Sequence, residues 1–318
     1  MVQLAAGEHN WCIDVLALED LSPLADLFTN EAILKVFHSS RQDFEVLYQQ
    51  LDCVPKPVFD TQLAASFCGA DAQAGYATVL KKEFQIELDK SQTRTDWSRR
   101  PLSAKQIEYA LNDVIYLERL YLHYQAELES QGREAWFLEE TESLYVLDDY
   151  QMLPERAHQR LNGSSMSIAS QHLLCDLAHW REQLAQSKNI PRTWILKDKD
   201  LYFLADLLPS SEGELENKAI AQQAFVRRNL KRIIQMTQQV LADRQLQRIW
   251  QAYEPFDAEQ KAQVKNLLKQ MAALAEEYNI AQTMLATRKD LEAFIRDENS
   301  SGITKGWREQ FLLEKLSV

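Results

Sequence analysis

Glycine and proline are scarce in this sequence, and that scarcity limits the folds open to the chain. The 318 residues include eight glycines and eight prolines, too few for the many tight turns of an all-β fold. Long helices are therefore favoured. Apolar residues make up 46% and charged residues 26% of the chain, as in an ordinary globular protein, and the length suits two or three domains.

Short apolar runs alternate with helical patterns over the first 140 residues. Residues 1–17 predict a β-hairpin, and residues 32–37 and 58–59 predict short buried strands. Because strands that alternate with helices typify an α/β domain, we expect such a domain from residue 1 to residue 140.

Local signals predict where two helices of this domain begin. Asp60 is placed to cap a helix over residues 62–67, and Ser103 with Gln106 has the spacing of a capping box. The helix that starts at Ser103 continues into an apolar stripe of period 3.6. This stripe predicts one helix past residue 120 and consists of Ile107, Ala110, Leu111, Val114, Leu117 and Tyr121.

The rest of the chain has helical patterns. Pro154 and the polar residues 162–167 indicate a linker. Two later segments share a loose layout of one long helix, a connector and shorter helices, which favours two copies of a helical module. The predicted divisions are an α/β domain at 1–140, a linker at 141–167, a helical domain at 168–248 and a second, divergent one at 258–318.

Several classes of protein are disfavoured. No apolar run reaches the roughly 18 residues that span a bilayer, and the N-terminus lacks the features of a signal peptide, so we expect a cytoplasmic protein that does not bind membranes. The four cysteines are scattered without a C-x-x-C pair, which argues against a zinc site or a disulfide framework.

The formal net charge of −12 argues by itself against a nucleic-acid partner. Screening confines charge effects to about 8–10 Å, however, so local patches decide whether phosphates bind. Two segments are locally basic. They carry Lys90, Arg94, Arg99 and Arg100 in the first, and Arg227, Arg228, Lys231, Arg232, Arg244 and Arg248 in the second.

Three features of the α/β domain suit chemistry. His38-x4-Asp43 lies where a strand gives way to a helix, and Tyr109-x3-Asp113 places a phenol and a carboxylate on one helix face. The third is the polar, basic segment 88–102. Taken alone, Asp43 is explained by the helix dipole, Tyr109 and Asp113 by a half-buried tyrosine beside a solvated acid, and segment 88–102 by a surface loop.

These features together resemble the ribonuclease D family, in the tyrosine-bearing branch of the DEDD exonucleases. Asp89-Lys-Ser-x-x-Arg-Thr-Asp-Trp-x-x-Arg-Pro-Leu102 is close to that family's signature. His38-x4-Asp43 resembles its second exonuclease motif, Tyr109-x3-Asp113 resembles its third, and the tail is similar to helicase-and-RNase-D C-terminal (HRDC) domains. The resemblance implies a ribonuclease H-like α/β exonuclease domain with a mixed sheet, followed by all-α HRDC-type domains.

The resemblance also implies an activity. It predicts a 3′-5′ exoribonuclease that trims RNA 3′ ends, those of tRNA precursors above all, and releases nucleoside monophosphates. Two divalent cations, Mg²⁺ or Mn²⁺, about 3.5–4 Å apart would stabilise the phosphoryl charge. Asp43 and Asp113 correspond to metal ligands, and Tyr109 corresponds to the residue that orients the attacking water. We expect a monomer whose RNA contacts come from Lys90, Arg94, Arg99, Arg227, Arg228 and Lys231.

One motif of the family is missing. The first-strand Asp-x-Glu that would complete four metal carboxylates has no counterpart in residues 1–318. We expect the central sheet to show an unpaired edge or gap at that place. Two explanations stay open: an N-terminal truncation of an ordinary enzyme, or a catalytically inactive homologue that binds RNA or DNA through its HRDC domains.

Overall fold

The computed structural model describes residues 1–89, 91–216, 218–252, 254–296, 301–312 and 314–316. The chain divides into two compact units. One comprises Met1–Gln151 together with the segment from Phe256 onward, and the other comprises Met152–Pro255.

The strands of the first unit are short. Strands β1 (Val2–Ala6) and β2 (His9–Ile13) form the predicted hairpin, whose turn contains Gly7 at φ +55°. Strands β3 (Lys35–Phe37) and β4 (Val58–Asp60) pair in parallel. In the described part of the chain these are two separate two-stranded sheets. Hydrogen bonds do not join these two pairs of strands into one sheet within the described residues.

Sixteen α-helices lie within the described residues. They are α1 (Ser22–Thr29), α2 (Arg41–Leu51), α3 (Thr61–Phe67), α4 (Tyr76–Phe84), α5 (Ala104–Asn112), α6 (Leu117–Ser130), α7 (Glu134–Glu142), α8 (Ile168–Lys188), α9 (Arg192–Ile195), α10 (Asp198–Leu207), α11 (Glu212–Leu215), α12 (Ala224–Ala242), α13 (Ala258–Glu277), α14 (Gln282–Leu285), α15 (Arg288–Ile295) and α16 (Gly306–Leu312).

Both predicted helix caps are confirmed. The Asp60 carboxylate accepts the backbone N–H groups of Gln62 and Leu63 at the start of α3. Ser103 and Gln106 form a capping box at the start of α5. Each cap satisfies backbone donors that the first helical turn leaves without a partner.

The prediction of one continuous helix through Tyr121 is wrong. Helix α5 ends at Asn112 and α6 begins at Leu117. The Tyr116 N–H, which would have bonded to the carbonyl four residues earlier, donates to the hydroxyl of Tyr76 at 3.2 Å. An apolar stripe predicts which face of a helix is buried. It cannot predict that a distant side chain will replace one of the helix's backbone hydrogen bonds.

Helices α13–α16 share a hydrophobic core with the N-terminal part of the chain. Leu267 and Met271 of α13 and Trp307 of α16 are buried in one cluster with side chains of α3, α6 and α7. The Trp307 ring stacks on Trp136, with centroids 4.7 Å apart. Segment 258–318, predicted as a separate helical domain, thus packs in the described residues as part of the first unit.

Gly306 allows this packing. Its φ of +58° is left-handed, and a Cβ there would lie 1.6 Å from Glu139 Oε1. The Glu139 carboxylate accepts the N–H of Trp307 at 3.1 Å. The backbone conformation therefore favours glycine, and a larger residue would displace the Glu139 carboxylate from the Trp307 N–H.

The second unit is helical and has its own core. Buried leucines of α8 and α10 pack with Val226 and Ile233 of α12.

Segment 141–167, predicted as linker, contains three short 3-10 helices, which are Ser143–Tyr145, Leu147–Asp149 and Pro154–Arg160. Tyr150 of this segment belongs to the first unit, where it is buried with Phe44 and Val58.

No helix in the described ranges is both long enough and apolar enough to cross a lipid bilayer.

Candidate exonuclease site

Asp43 lies in the first turn of α2, on the exposed side of the helix. Neighbouring chain atoms partly desolvate its carboxyl group and raise its pKa, and the negative charge of Asp60 raises the pKa further. A carboxylate that neighbouring groups make costly to ionise gains from a bound cation.

Asp60 organises the turn that leads into α2. It is 5% exposed, and besides its two cap bonds it accepts the N–H of Ser39 at 3.0 Å and both the N–H and the hydroxyl of Ser40 at 2.7 Å. Ser39 has a left-handed φ of +65°, which is uncommon for a residue with a side chain. Asp60 therefore connects the N-terminal ends of α2 and α3.

Asp113 is the C-terminal cap residue of α5. Its dihedral angles, φ −75° and ψ −11°, remain helical, so the i, i+4 relation to Tyr109 holds. Asp113 is exposed at its surface, yet partial burial of the carboxyl group raises its pKa. Both predicted metal ligands therefore bind a proton more readily than an ordinary aspartate does.

Tyr109 is half-buried beneath the basic segment that contains the family signature. Its hydroxyl lies 3.2 Å from the Thr93 hydroxyl, and its ring centroid lies 5.9 Å from that of Trp97. Arg100 attaches the same segment to the hairpin by a two-point ion pair with Asp14, one bond of which measures 2.8 Å. The segment is thus ordered around Tyr109.

Two of the three residues of this segment that are predicted to contact RNA lie within the described part of the chain. Arg94 and Arg99 are exposed, whereas Lys90 lies outside the described residues. Exposed guanidinium groups beside the candidate site suit phosphate contacts.

A chain of side chains joins the two ligand-bearing segments. His38 Nε2 donates to the carbonyl of Ala74 at 2.9 Å, and its Nδ1 lies 2.9 Å from the Thr61 hydroxyl. The His38 ring contacts Tyr76 edge-on at 5.6 Å. Burial raises the pKa of Tyr76, and the nearby Asp113 charge adds to that rise.

The sequence alone assigned neither Asp60 nor Tyr76 a role in this site. It identified Asp60 as a helix cap and His38 as part of a motif, and it passed over Tyr76. The i, i+2 cap spacing of Asp60 was a usable signal, whereas no local pattern marks Tyr76.

Asp43 and Asp113 fit a divalent cation in the kind of donor they offer. Hard carboxylate oxygens suit Mg²⁺ and Mn²⁺, and one or two protein carboxylates with water suffice for one Mg²⁺. Within the described residues no group of three or more His, Cys, Asp or Glu side chains is placed to hold a metal. Two ions would need further ligands.

In the second unit, the predicted basic residues lie on α12. Arg227, Arg228 and Lys231 are exposed, and no acidic residue lies in the first turn. Positive charge at a helix N-terminus opposes the helix dipole. A shallow groove of about 550 Å³ is lined by Lys231 and four neighbours, which are Arg232, Gln235, Met236 and Gln239.

The class of the protein follows from its family matches, which indicate a 3′-5′ exonuclease with a ribonuclease H-like fold and a helical domain. Residues 1–129 match a family described as 3′-5′ exonuclease, and residues 170–237 match the HRDC domain.

Known relatives narrow the class to one family. A ribonuclease D from Nitrobacter hamburgensis is 34% identical over 320 residues, covering 99% of this chain and 83% of that protein. A ribonuclease D from Bartonella henselae is 32% identical over 323 residues, covering 99% and 79%. The crystal structure of Escherichia coli RNase D, described as an exoribonuclease involved in structured RNA processing, superimposes with a TM-score of 0.85 at 26% identity and covers 98% of this chain and 85% of that chain. The protein belongs to the ribonuclease D family of 3′-5′ exoribonucleases.

Proposed function

We propose that this chain removes nucleotides from RNA 3′ ends by divalent-metal-dependent hydrolysis centred on Asp43 and Asp113. The observation that carries the proposal is the placement of two aspartates, one in the first turn of α2 and one at the end of α5, each with a carboxyl pKa raised by partial desolvation. These two segments are joined through His38 and Tyr76. A bound Mg²⁺ or Mn²⁺ would stabilise charge on the phosphoryl group, and a complete site would hold two ions.

Tyr109 is proposed to orient the attacking water. It lies one helical turn before Asp113, and Thr93 and Trp97 restrict its ring. A phenol can donate to, or accept from, a water beside a reacting phosphate. This role needs the hydroxyl group, so Tyr109→Phe is expected to lower kcat by about a hundredfold.

RNA contacts are proposed at Arg94 and Arg99 in the first unit and at Arg227, Arg228 and Lys231 in the second. All five side chains are exposed. Contacts to phosphate give affinity with little dependence on sequence, which suits an enzyme that trims ends. Lys90 remains a prediction.

The finer substrate is also part of the proposal. We infer that the RNAs are tRNA precursors, that the products are nucleoside monophosphates, and that the protein acts as a monomer in the cytoplasm. The choice of structured RNA as substrate is supported by the ribonuclease D relatives and by the relative described as acting in structured RNA processing.

The catalytic proposal is tested with a 3′-tailed RNA and purified protein in Mn²⁺. We expect release of mononucleotides, abolition by a chelator, and loss of about a hundredfold or more in Asp113→Asn. Asp26→Asn, an exposed aspartate on α1, is the matched control and is expected to retain activity. RNA binding without product release, in any divalent metal, would contradict the proposal and favour a protein that only binds RNA.

The RNA-binding part is tested separately by charge reversal on α12. Replacing Arg227, Arg228 and Lys231 by Glu is expected to weaken RNA binding and to flatten its salt dependence, since each lost phosphate contact removes about 0.7 from the logarithmic slope. The control reverses three exposed lysines of α13 (Lys261, Lys265 and Lys269) and changes the net charge equally. Equal loss of binding in both variants would show that only net charge matters.

A further inference from the structure

The interruption between α5 and α6 determines where Asp113 lies. Tyr116 donates its N–H to the Tyr76 hydroxyl at 3.2 Å, and the intervening turn is tightened by a bond from Leu117 N–H to Val114 O at 3.1 Å. In an uninterrupted helix, Asp113 would be an interior residue. Here it is the cap residue at a helix end, three residues before the amide that donates to Tyr76.

The phenol of Tyr76 has capacity beyond that bond. A tyrosine hydroxyl accepts a hydrogen bond and still has its own proton to donate. A phenol keeps this proton at neutral pH.

The other side of Tyr76 is held by the segment that leads to Asp43. His38 contacts the Tyr76 ring edge-on, with an interplanar angle of 61°. The carbonyl of Ala74, two residues before Tyr76, accepts bonds from His38 at 2.9 Å and from Gln62 Nε2 at 3.1 Å. The start of α4 is therefore fixed to the turn between β3 and α2.

We propose that Tyr76, held by His38, is a positioning residue that sets the place of Asp113 relative to Asp43. The Tyr76 hydroxyl accepts the N–H of Tyr116, three residues beyond Asp113. The Tyr76 ring contacts the ring of His38, five residues before Asp43. This inference rests on the proposed metal site, because its consequence is the spacing of two ligands. Residues that support metal ligands in this way control affinity without touching the ion.

The test compares two tyrosines that make the same kind of bond. Tyr76→Phe removes only the hydroxyl that accepts the Tyr116 N–H. Tyr145→Phe removes a hydroxyl that accepts the Val58 N–H at 2.9 Å, within the same unit. Mn²⁺ binding to the full chain is measured by electron paramagnetic resonance of the free ion, and exchange of the Tyr116 amide is measured by NMR.

Tyr76→Phe is expected to weaken Mn²⁺ binding by about tenfold and to speed exchange of the Tyr116 amide. Tyr145→Phe is expected to change Mn²⁺ binding by less than about twofold, although it loses one hydrogen bond of the same kind. Asp113→Asn, the direct ligand change, sets the largest loss to be expected.

Each other outcome overturns a stated part. Unchanged Mn²⁺ binding in Tyr76→Phe, or equal weakening in both tyrosine variants, overturns the positioning role and leaves the proposed function intact. No Mn²⁺ binding by the unaltered chain, or binding that persists in Asp113→Asn, overturns the proposed metal site and this inference with it.

Discussion

Arg133 connects the N-terminal part of the first unit to helices α13–α16, and its replacement by methionine is expected to loosen both together. The side chain is 7% exposed. Its guanidinium donates to the backbone carbonyls of Phe67 at the end of α3 and of Tyr278 and Asn279 just after α13, the last at 3.2 Å.

The size of the effect follows from these three bonds. Hydrogen bonds to a charged group contribute about 1.5–3 kcal/mol each, and burying the guanidinium offsets part of their sum. Burial lowers the pKa of Arg133, because it disfavours the charged guanidinium. Methionine keeps most of the side-chain length but leaves the carbonyls without donors. We expect a net loss of about 3–5 kcal/mol.

The assay is native-state hydrogen–deuterium exchange read by mass spectrometry. The expected loss corresponds to exchange about 10²- to 4 × 10³-fold faster, and it should be equal in peptides from α3, α6 and α13 because they share one core. Peptides from α8, in the second unit, serve as the internal control and are expected to keep their protection.

Arg133→Lys separates charge from geometry. A lysine ammonium keeps the charge but cannot address three carbonyls with a planar fork, so we expect an intermediate loss. A change below about 1 kcal/mol in Arg133→Met, or faster exchange confined to α13 alone, would refute the reasoning that α13–α16 and the N-terminal helices unfold as one unit.

Three further predictions concern the site. The folded pKa of Asp113 is raised, so ionisation of this carboxyl destabilises the fold as pH rises through that value. Asp113→Asn should therefore raise Tm by about 1–2 °C at pH 7.5 without metal, and this gain should vanish near pH 4. A lower Tm of the variant at pH 7.5 would contradict the prediction. Asp60→Asn places an amide NH₂ against the N–H and O–H donors of Ser40 or the N–H donors of α3, and it should lower the free energy of unfolding in urea by about 3 kcal/mol. Ser40→Ala should lower it by about 1 kcal/mol. Equal losses in the two variants would show that the charge of Asp60 is not needed. Burial lowers the pKa of His38, so the neutral ring stabilises the fold above the unfolded value and this contribution is lost as pH falls; His38→Gln should lessen the acid-side fall in stability, measured as Tm between pH 7 and pH 5.

Much of the local structure was predictable because its causes are close in sequence. The hairpin, the Asp60 cap and the Ser103 capping box depend on residues a few positions apart, and all three are confirmed. Strand β3 is shorter than the apolar run that predicts it, since a run of apolar residues marks burial and does not state which residues pair. Asp43, Tyr109 and Asp113 were found by resemblance, and their roles stay predictions.

The sequence by itself determined the fold family, the positions of most helices and the residues that a family member would use. Only the tertiary structure decided that α5 stops before Asp113, because the hydroxyl that stops it belongs to Tyr76, 40 positions away from Tyr116. It also decided that α13–α16 share a core with the N-terminal helices, through Arg133 and its bonds to carbonyls 145 and 146 positions away. Hydrogen bonds and packing between distant segments have no period and no spacing, so no sequence pattern announces them.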